Sequence, residues 1–526
     1  MNAALTPQAP PQHADLRTWV AVLASLLGAF MAVLDIAITN SSLKEILGAL
    51  SATQEEGSWI SSSYLVAEIV VIPLAGFLSA VFSTRRYLIV NVLLFLISST
   101  LCGMAWSLES MIAFRALQGF TGGVMIPMAM TLVTRKLPVA KRPLGLALFG
   151  MTATLAPTLG PTFGGWLTDL YGWPSIFYIN WVPGLLLITG VSWGLDREPM
   201  NLDLLRRVDW FGVAAMAIGL GSLTAMLEEG NAKDWFQSPF IVTAAVLAVA
   251  GIYAWAWRGL TRSNTFIDLH ILGRPSFLIA VTVAFTTGMG LYGSAFLIPL
   301  YLGQIAAYTP MQIGLVIMWM GLPQLFIMPF AAKLSTKLDN RIMMTVGLAL
   351  FALSCFMNTH MSAETAGPEL IAAQVVRALG QPLIMITLTN FAISGVPMQL
   401  MGSASGLFNM MRNLGGSVGI AVLATLLTNR EKFHSARVGE SVSLLNPATQ
   451  ERLDALTQNY LARGLDLSAA QDSAIKLLDN IVRRESYVMA YNDAFLVLGV
   501  ALLCCIAAVW MGKKVLGGTA GAGNAH

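Results

Sequence analysis

Two prolines and four glycines interrupt the apolar run Gly150-Met-Thr-Ala-Thr-Leu-Ala-Pro157-Thr-Leu-Gly160-Pro161-Thr-Phe-Gly164-Gly165. Each proline removes a backbone hydrogen bond and clashes with the preceding turn, so a soluble helix does not tolerate this pattern. In a membrane, neighbouring helices and polar side chains satisfy the freed backbone groups. The stretch therefore predicts a bent membrane helix that a partner helix approaches closely.

Composition places the whole chain in a lipid environment. Apolar residues make up 56% of the 526 residues and charged residues 11%, against about 25% charged residues in an ordinary soluble domain. Apolar runs long enough to span a membrane recur throughout. They are 17–40, 58–80, 87–107, 111–134, 143–167, 175–195, 210–228, 239–258, 276–300, 311–332, 342–360, 369–396, 403–428 and 487–511. We predict an all-α integral membrane protein with about 14 transmembrane helices.

Basic residues are distributed unequally between the two sides of these helices. One side holds Arg17, Arg85, Arg86, Arg135, Lys136, Lys141, Arg142, Arg197, Arg206, Arg207, Arg258, Arg262, Arg274, Lys333, Lys337, Arg341, Lys513 and Lys514. The short connections on the other side hold only Lys44 and Lys233. Because short cytoplasmic loops carry the excess of lysine and arginine, we predict that both termini are cytoplasmic, as a disordered tail over 1–16 and a flexible tail over 512–526.

The connection 429–486 is long, polar and rich in both charges. The basic-residue rule does not apply to long loops, so the lysines and arginines of this connection are compatible with a position on the non-cytoplasmic side. Pro447–Arg463 and Ser468–Arg484 have helical periodicity. The segment is either a solvated helical hairpin or a docking surface for a partner outside the membrane.

The chain also repeats itself. Pro73 to Arg86 resembles Pro329 to Arg341, and Phe114-Arg115-Ala-Leu-Gln-Gly resembles Val376-Arg377-Ala-Leu-Gly-Gln. Repeats in the same order are typical of transporters built from two six-helix bundles. We predict a first bundle over 17–195, a two-helix insert over 196–260 and a second bundle over 261–511.

Several further segments carry a family resemblance. They are Leu34-Asp35-Ile-Ala-Ile-Thr-Asn40, Arg115-x-x-Gln118-Gly119, Gly160-Pro161-x-x-Gly164-Gly165, the set Trp173, Phe177, Asn180, Pro183 and Gly184, and Asp209-x-x-Gly212. Together they resemble the major facilitator superfamily, in the fourteen-span drug:proton antiporter branch that EmrB-type exporters typify. In that family the Gly-Pro helix is the antiporter motif. The resemblance implies that this helix (Pro157, Gly160, Pro161, Gly164, Gly165) seals the interface between the bundles and limits proton leak; packing alone is the alternative.

The chain departs from the family pattern at three positions. Ala80 replaces the usual acid of the loop after the second span, and Ser83 replaces a glycine in the same loop. Ala37 stands where the first-helix motif usually has threonine. The first two changes weaken the case for a charge-relay latch in this loop.

Few ionisable residues lie deep in the predicted helices. Such residues cost roughly 2.5–3.5 kcal/mol to insert, so they are functional candidates. Asp35, Glu68 and Arg115 are the candidates for proton coupling. Glu68 is the strongest, because burial favours the neutral form of a carboxyl group; the alternatives are a fixed ion pair or a water-facing acid. Asp35 and Arg115 are equally open to structural roles, and which acid Arg115 pairs with stays open.

Other residues are candidates for cavity or gating roles. They are Asn40, Gln118, Tyr292, Arg377, Asn409 and Arg412. Arg377 and Arg412 are expected to be structural or gating. The 27 methionines suit a promiscuous apolar cavity. The four cysteines lie in apolar runs and are expected to be small core residues.

The resemblance implies a proton-coupled exporter of amphipathic or lipophilic compounds in a bacterial inner membrane. It also implies a tripartite pump with a periplasmic membrane-fusion adaptor and an outer-membrane channel. The sequence shows no phosphate-binding loop, nucleophile elbow or metal cluster, so we expect neither an enzyme, a cofactor, a metal nor a nucleic-acid partner. A dedicated exporter of one metabolite or siderophore, or a non-transporting scaffold or sensor, remains an alternative.

Overall fold

The structure is a computed structural model that describes residues 15–138, 141–262, 266–393, 396–397, 400–443 and 445–511. In these ranges all regular structure is helical. Both predicted tails, apart from residues 15 and 16, lie outside the described residues.

The first bundle contains six membrane spans, three of which are divided into shorter helices. Its helices are α1 Leu16–Ser41, α2 Leu43–Leu50, α3 Gln54–Val71, α4 Ala75–Phe82, α5 Thr84–Gly103, α6 Leu108–Gly122, α7 Met125–Lys136, α8 Arg142–Tyr171, α9 Ser175–Tyr178 and α10 Trp181–Gly194. The pairs α3 with α4, α6 with α7 and α9 with α10 each form one span. Pro73 divides the second span because it lies in a short 3-10 turn between α3 and α4.

Two extra spans follow the first bundle. After the short α11 Asp203–Arg207, they are α12 Trp210–Glu229 and α13 Pro239–Thr261. The second bundle repeats the order of the first. Its helices are α14 Pro275–Gln304, α15 Pro310–Ser335, α16 Asn340–Met357, α17 Gly367–Ile393, α18 Met401–Ser441, α19 Pro447–Ala462 and α20 Leu467–Trp510.

Among the described residues, 13 helices are long and apolar enough to cross a membrane, and there are 14 when the two parts of α8 are counted as one span. α8 bends by 45° between Pro157 and Leu159, as its prolines predict. The chain is therefore a multi-pass membrane protein with two six-helix bundles and two additional helices.

The ends of the last two spans differ from the prediction. The span expected over 403–428 continues as α18 to Ser441, and the span expected from 487 begins already at Leu467. At 1.5 Å per residue, the 41 residues of α18 measure about 60 Å, twice the roughly 30 Å of a hydrocarbon core. The connection 429–486 is therefore largely helical and projects beyond the membrane spans.

Charged contacts hold the base of this projection together. Arg430 Nε and His434 Nε2 lie 2.6 and 2.8 Å from Asp493 Oδ2. The contacts join α18 to α20, while α19 packs against α20. We call residues 429–486 the helical projection.

One expectation about the cysteines is wrong. Cys102, Cys355 and Cys505 are buried, but Cys504 is exposed on the surface of α20. Two adjacent residues on a helix point about 100° apart, so Cys504 and Cys505 do not face the same core.

Candidate functional site

An apolar cavity of about 500 Å³ lies between the two bundles and the insert helix α12. Its walls come from α1, α3, α7, α8, α12, α14, α15 and α18. The lining residues are Val33, Ile36, Ala37, Asn40, Ser41, Leu65, Glu68, Ile69, Ile126, Pro157, Pro161, Glu228, Tyr292, Ala295, Phe296, Pro299, Leu300, Ile313, Ile317, Met320, Asn413, Gly416, Ser417 and Ile420. The α1 and α14 residues belong to the last parts of these helices, so the cavity lies towards the end of the molecule that carries the helical projection.

The opposite end of the bundle interface is closed by close backbone packing. Gly76 of α4 lies directly against the backbone of Gly402 in α18, so a methyl group added at Gly76 would overlap that backbone. Ser405 Oγ donates a hydrogen bond of 3.1 Å to the carbonyl of Pro127 in α7. Asn409 also lies here, with its Nδ2 atom 3.4 Å from the sulfur of Met130. Asn409 thus belongs to the closed half and not to the cavity lining.

Glu68 lies at the boundary between the bundles. Its side chain is 3% exposed and lines the cavity. Asn413 Nδ2 of the second bundle donates a hydrogen bond of 3.3 Å to Glu68 Oε1. Tyr292 of α14 donates in turn to Asn413 Oδ1 at 3.5 Å. A chain of polar groups therefore connects α3, α18 and α14 across the cavity wall.

Arg412 is the cationic neighbour of this group. It precedes Asn413 in α18, is 2% exposed, and interacts electrostatically with Glu68. Its guanidinium carbon lies 5.9 Å from the ring centroid of Phe149 in α8. Arg412 therefore places a positive charge behind the cavity wall, although it is not itself part of the lining.

Asp35 occupies a different environment, inside the first bundle. Arg115 Nη1 lies 2.6 Å from Asp35 Oδ2, and both side chains are essentially inaccessible to solvent. Gln118 Nε2 and Asn180 Nδ2 donate to Asp35 Oδ1 at 2.8 and 2.7 Å. Arg115 Nε also donates to the carbonyl of Ile60 at 3.2 Å. The Asp35 carboxylate is thus neutralised and held by three donors.

The structure resolves which acid Arg115 pairs with: its partner is Asp35, and Glu68 bonds instead to Asn413. Gln118, a candidate for the cavity, belongs to the Asp35 group. Asn180 belongs there too. The sequence signal for Asn180 was its place in the Trp173–Gly184 resemblance, but its contact with Asp35 spans 145 positions along the chain.

Arg377 is the repeat counterpart of Arg115, but it has no carboxylate partner among the described residues. Its Nη2 donates to the carbonyl of Leu291 at 3.2 Å, and its guanidinium carbon lies 4.9 Å from the Phe351 ring centroid. It is buried inside the second bundle. The second copy of the repeat therefore has an arginine at the position that corresponds to Arg115, but no described acid that corresponds to Asp35 is paired with it. Of the six cavity or gating candidates, only Asn40 and Tyr292 line the cavity.

The Gly-Pro helix α8 has two packing faces. Gly160 lies against Ala37 of α1 and Gly164 against Ser41 of α1, so close that a methyl group at either glycine would overlap its neighbour. Thr162, on another face, packs against Gly314 of α15 in the second bundle. Pro157 and Pro161 line the cavity, and Gly165 is buried. The small residues allow close approach within the first bundle, while α8 also borders the second.

Comparison with known proteins agrees with this architecture. Residues 25–420 match the family model described as Major Facilitator Superfamily. This chain belongs to that superfamily. Two solved structures share its fold: the proton:xylose symporter XylE bound to 6-bromo-6-deoxy-D-glucose, and the human organic anion transporter MFSD10 (TETRAN). The first has a TM-score of 0.62 at 12% identity, covering 96% of this chain and 98% of that one. The second has a TM-score of 0.53 at 13% identity, covering 92% and 99%.

Relatives that match over nearly their whole length place this chain in the EmrB-type branch of multidrug exporters. The colistin resistance protein EmrB of Acinetobacter baumannii is 35% identical over 92% of this chain and 94% of its own length. The multidrug export protein EmrB of Escherichia coli is 32% identical over 96% and 98%. The fatty acid resistance protein FarB of Neisseria gonorrhoeae is 30% identical over 96% and 97%. Membership of this transporter family supports a transporter rather than an enzyme.

Proposed function

We propose that this protein is a proton-coupled exporter, which exchanges protons moving inward for lipophilic or amphipathic compounds moving outward. The cavity supports this proposal because its lining is mostly apolar, with a few polar groups among the lining residues. Such a site suits substrates that are recognised by shape and apolar contact. The names of two relatives, a multidrug export protein and a fatty acid resistance protein, support the same substrate class.

The observation that carries the proposal is the position of Glu68. It is a buried carboxyl group that lines the cavity and bonds across the boundary between the bundles. When Glu68 is ionised, Asn413 donates a charge-assisted hydrogen bond to it and Arg412 attracts it. Protonation removes the charge and weakens both interactions. A proton on Glu68 therefore favours separation of α3 from α18 at this point.

Asp35 and Arg115 have a supporting role in this proposal. Asp35 accepts hydrogen bonds from three donors, one of which is its cationic partner Arg115, so adding a proton to it would break a buried, hydrogen-bonded ion pair. The pair fixes α1, α6 and the start of α10 as one unit. We therefore assign the coupling proton to Glu68 and a structural role to Asp35.

The two bundles are proposed to move as the transporting units, over 17–195 and 261–511, with 196–260 as an insert between them. Rocking of the bundles about a central site is the usual basis of alternating access. With both termini cytoplasmic, as the basic residues favour, the cavity side faces the periplasm. The packing of Gly76 on Gly402 then forms the closed cytoplasmic side, and α8 seals the adjacent interface.

A periplasmic adaptor and an outer-membrane channel are the proposed partners in an inner-membrane setting. The helical projection supports an adaptor contact because it extends rigidly beyond the spans. Arg430, His434 and Asp493 hold its base in one geometry. A rigid, charged surface at this end of the molecule is suited to a protein contact outside the membrane.

The direct test uses purified full-length protein in proteoliposomes with an imposed proton gradient. We expect the gradient to drive accumulation of a lipophilic dye, with proton movement in the opposite direction. Absence of gradient-dependent dye transport would support a non-transporting scaffold instead. Transport restricted to one compound in a panel of lipophilic and polar compounds would support a dedicated exporter.

A further inference from the structure

The cavity has a second carboxyl group, and the insert helix α12 contributes it. Glu228 lines the cavity together with Glu68. Its Oε1 atom is shielded from solvent and has no hydrogen-bond partner among the described residues. A shielded carboxylate oxygen without a donor is costly, and a proton or a bound cation satisfies it.

Both carboxyl groups meet the same face of α18. Asn413 donates a hydrogen bond to Glu68, and the Ser417 hydroxyl faces the carboxyl group of Glu228. Asn413 and Ser417 are four residues apart, so they lie on the same side of the helix, about 6 Å apart along its axis. The two acids therefore occupy successive turns along one wall of the cavity.

The neighbouring residue Glu229 holds α12 in this position. Its carboxylate accepts hydrogen bonds from Ser58 at 2.8 and 3.0 Å and from Ser62 at 2.9 Å, both in α3. Just beyond α12, Trp235 Nε1 donates to Thr425 Oγ1 of α18 at 3.0 Å. The end of α12 is thus tied to both bundles, and Glu228 is held at the boundary between them.

The rest of the lining completes a site for an organic cation. Among the described lining residues, Glu68 and Glu228 are the only acids, and there is no lysine, arginine or histidine. Tyr292 and Phe296 add aromatic rings to a mainly aliphatic wall. Carboxylates and aromatic faces both attract cations, and an apolar wall favours a lipophilic body.

We propose that Glu228 is the residue that gives this cavity its preference for lipophilic cations. Glu228 binds the positive centre of the substrate, the aromatic and aliphatic wall binds its apolar body, and Glu68 is left to exchange the proton. This inference rests on the proposed function, because it takes the cavity to be the transport site. It gives the insert helices a part in substrate selection as well as in packing.

The experiment compares two probes of similar shape and different charge. Tetraphenylphosphonium carries one positive charge, and triphenylphosphine oxide is neutral and has three phenyl rings on phosphorus instead of four. Binding of each probe to purified full-length protein is measured by calorimetry, and export of each is measured in proteoliposomes. We expect Glu228→Gln to raise the Kd for tetraphenylphosphonium about tenfold, as one charge contact is lost in a partly desolvated site. The Kd for triphenylphosphine oxide stays within about twofold, because no charge is involved.

Two further variants separate charge recognition from packing. Glu228→Asp keeps the charge and is expected to retain most of the cation preference. Glu229→Gln weakens the attachment of α12 to α3, so it should affect both probes equally. Equal binding of tetraphenylphosphonium by wild type and Glu228→Gln would overturn the proposal. Equal loss of both probes in Glu228→Gln, or failure of the wild type to bind tetraphenylphosphonium, would overturn it as well.

Failure of the proposed function gives a different result. In that case the wild type binds the cation in preference to the neutral probe, but a proton gradient drives no export of either one. The converse result is that a proton gradient drives export of both probes equally well in the wild type and in Glu228→Gln. That result supports the proposed exporter and rejects the role of Glu228 in selecting cations.

Discussion

Asn413 Nδ2 donates a hydrogen bond to Glu68 Oε1 across 3.3 Å, and this contact joins the second bundle to the first. Asp35, a second buried acid of the first bundle, bonds to Arg115 at 2.6 Å entirely within that bundle. A group that couples protonation to movement must contact both moving parts. Glu68 meets this requirement, whereas Asp35 stabilises one part.

Replacing Glu68 by glutamine should abolish proton-driven export while the protein remains folded. Glutamine keeps the shape and can still accept the hydrogen bond from Asn413, but it cannot gain or lose a proton. We expect gradient-dependent dye transport in proteoliposomes to fall by about a hundredfold or more, because a positioned proton-transfer group typically contributes at least that factor. Thermal unfolding in detergent should be close to that of the wild type.

Exchange of unlabelled for labelled substrate without a gradient is the control for Glu68→Gln. Exchange requires binding and bundle movement but no net proton movement, so it should persist in the variant. Full gradient-driven transport by Glu68→Gln would exclude Glu68 as the essential proton carrier.

Replacing Asp35 by asparagine should strongly lower the free energy of unfolding of the protein. It leaves the Arg115 guanidinium buried without a counter-charge, which typically costs about 3–5 kcal/mol. We expect a lower unfolding temperature and a lower yield of folded protein. The double variant Asp35→Asn with Arg115→Gln removes both charges and should recover part of the loss. An unchanged unfolding temperature in Asp35→Asn would contradict the structural role.

A valine at Gly76 should prevent closure of the side opposite the cavity. A side chain at this position meets the backbone of Gly402, which cannot move without displacing α18. We expect export to fall, and cysteines introduced near Ser405 to react more rapidly with a water-soluble maleimide. Gly48→Val is the matched control, because no atom lies near the position of its added side chain. Similar effects of both substitutions would indicate a general loss of folding.

Shortening the helical projection should abolish resistance in whole cells and leave transport by the purified protein unchanged. Replacing residues 443–465 by a short Gly-Ser linker removes α19 and leaves the ion contacts of Asp493 at the base. We expect normal gradient-driven transport in proteoliposomes, because the cavity is untouched. Whole-cell resistance should be lost if the projection binds an adaptor. Equal resistance of the shortened and full-length proteins would reject the adaptor contact.

The attachment between the insert helices should weaken in acid. Two hydrogen bonds from Arg258, at 2.6 and 2.7 Å, hold the pKa of Asp209 below its ordinary value. Because the pKa of Asp209 is lowered in the folded protein, this pair stabilises the fold at pH values above the ordinary aspartate pKa of about 3.9. The stabilisation is lost as the pH falls through the lowered pKa of the folded protein. The difference in unfolding temperature between wild type and Asp209→Asn should therefore shrink below about pH 4.

The comparison for Asp209 is Asp196→Asn, which alters an exposed acid at the start of the insert. It should leave the unfolding temperature nearly unchanged across the same pH range. A pH-independent difference for Asp209→Asn would show that the pair with Arg258 is not the cause of the acid sensitivity.

The bend of α8 and the helical content were predictable because they depend on local properties. Pro157 and Pro161 interrupt backbone hydrogen bonds wherever the helix lies, and long apolar runs form helices in lipid to satisfy their backbone groups. Glu68 was predictable as a candidate because it is an acid in the middle of an apolar run. Glu228 was not, since an acid at the end of an apolar run looks like an ordinary helix terminus.

The sequence by itself determined the membrane location, the helical class, the two-bundle repeat and the family. These properties follow from composition, periodicity and short motifs, which are local in the chain. Only the tertiary structure decided that Arg115 pairs with Asp35, that Asn413 reaches Glu68, and that α12 brings Glu228 to the cavity. The Asp35–Arg115 and Glu68–Asn413 contacts join residues 80 and 345 positions apart. Glu228 faces Ser417, which lies 189 positions further along the chain. Side-chain partners at such separations are fixed by which helix faces pack together, and a single sequence does not encode those faces in any local pattern.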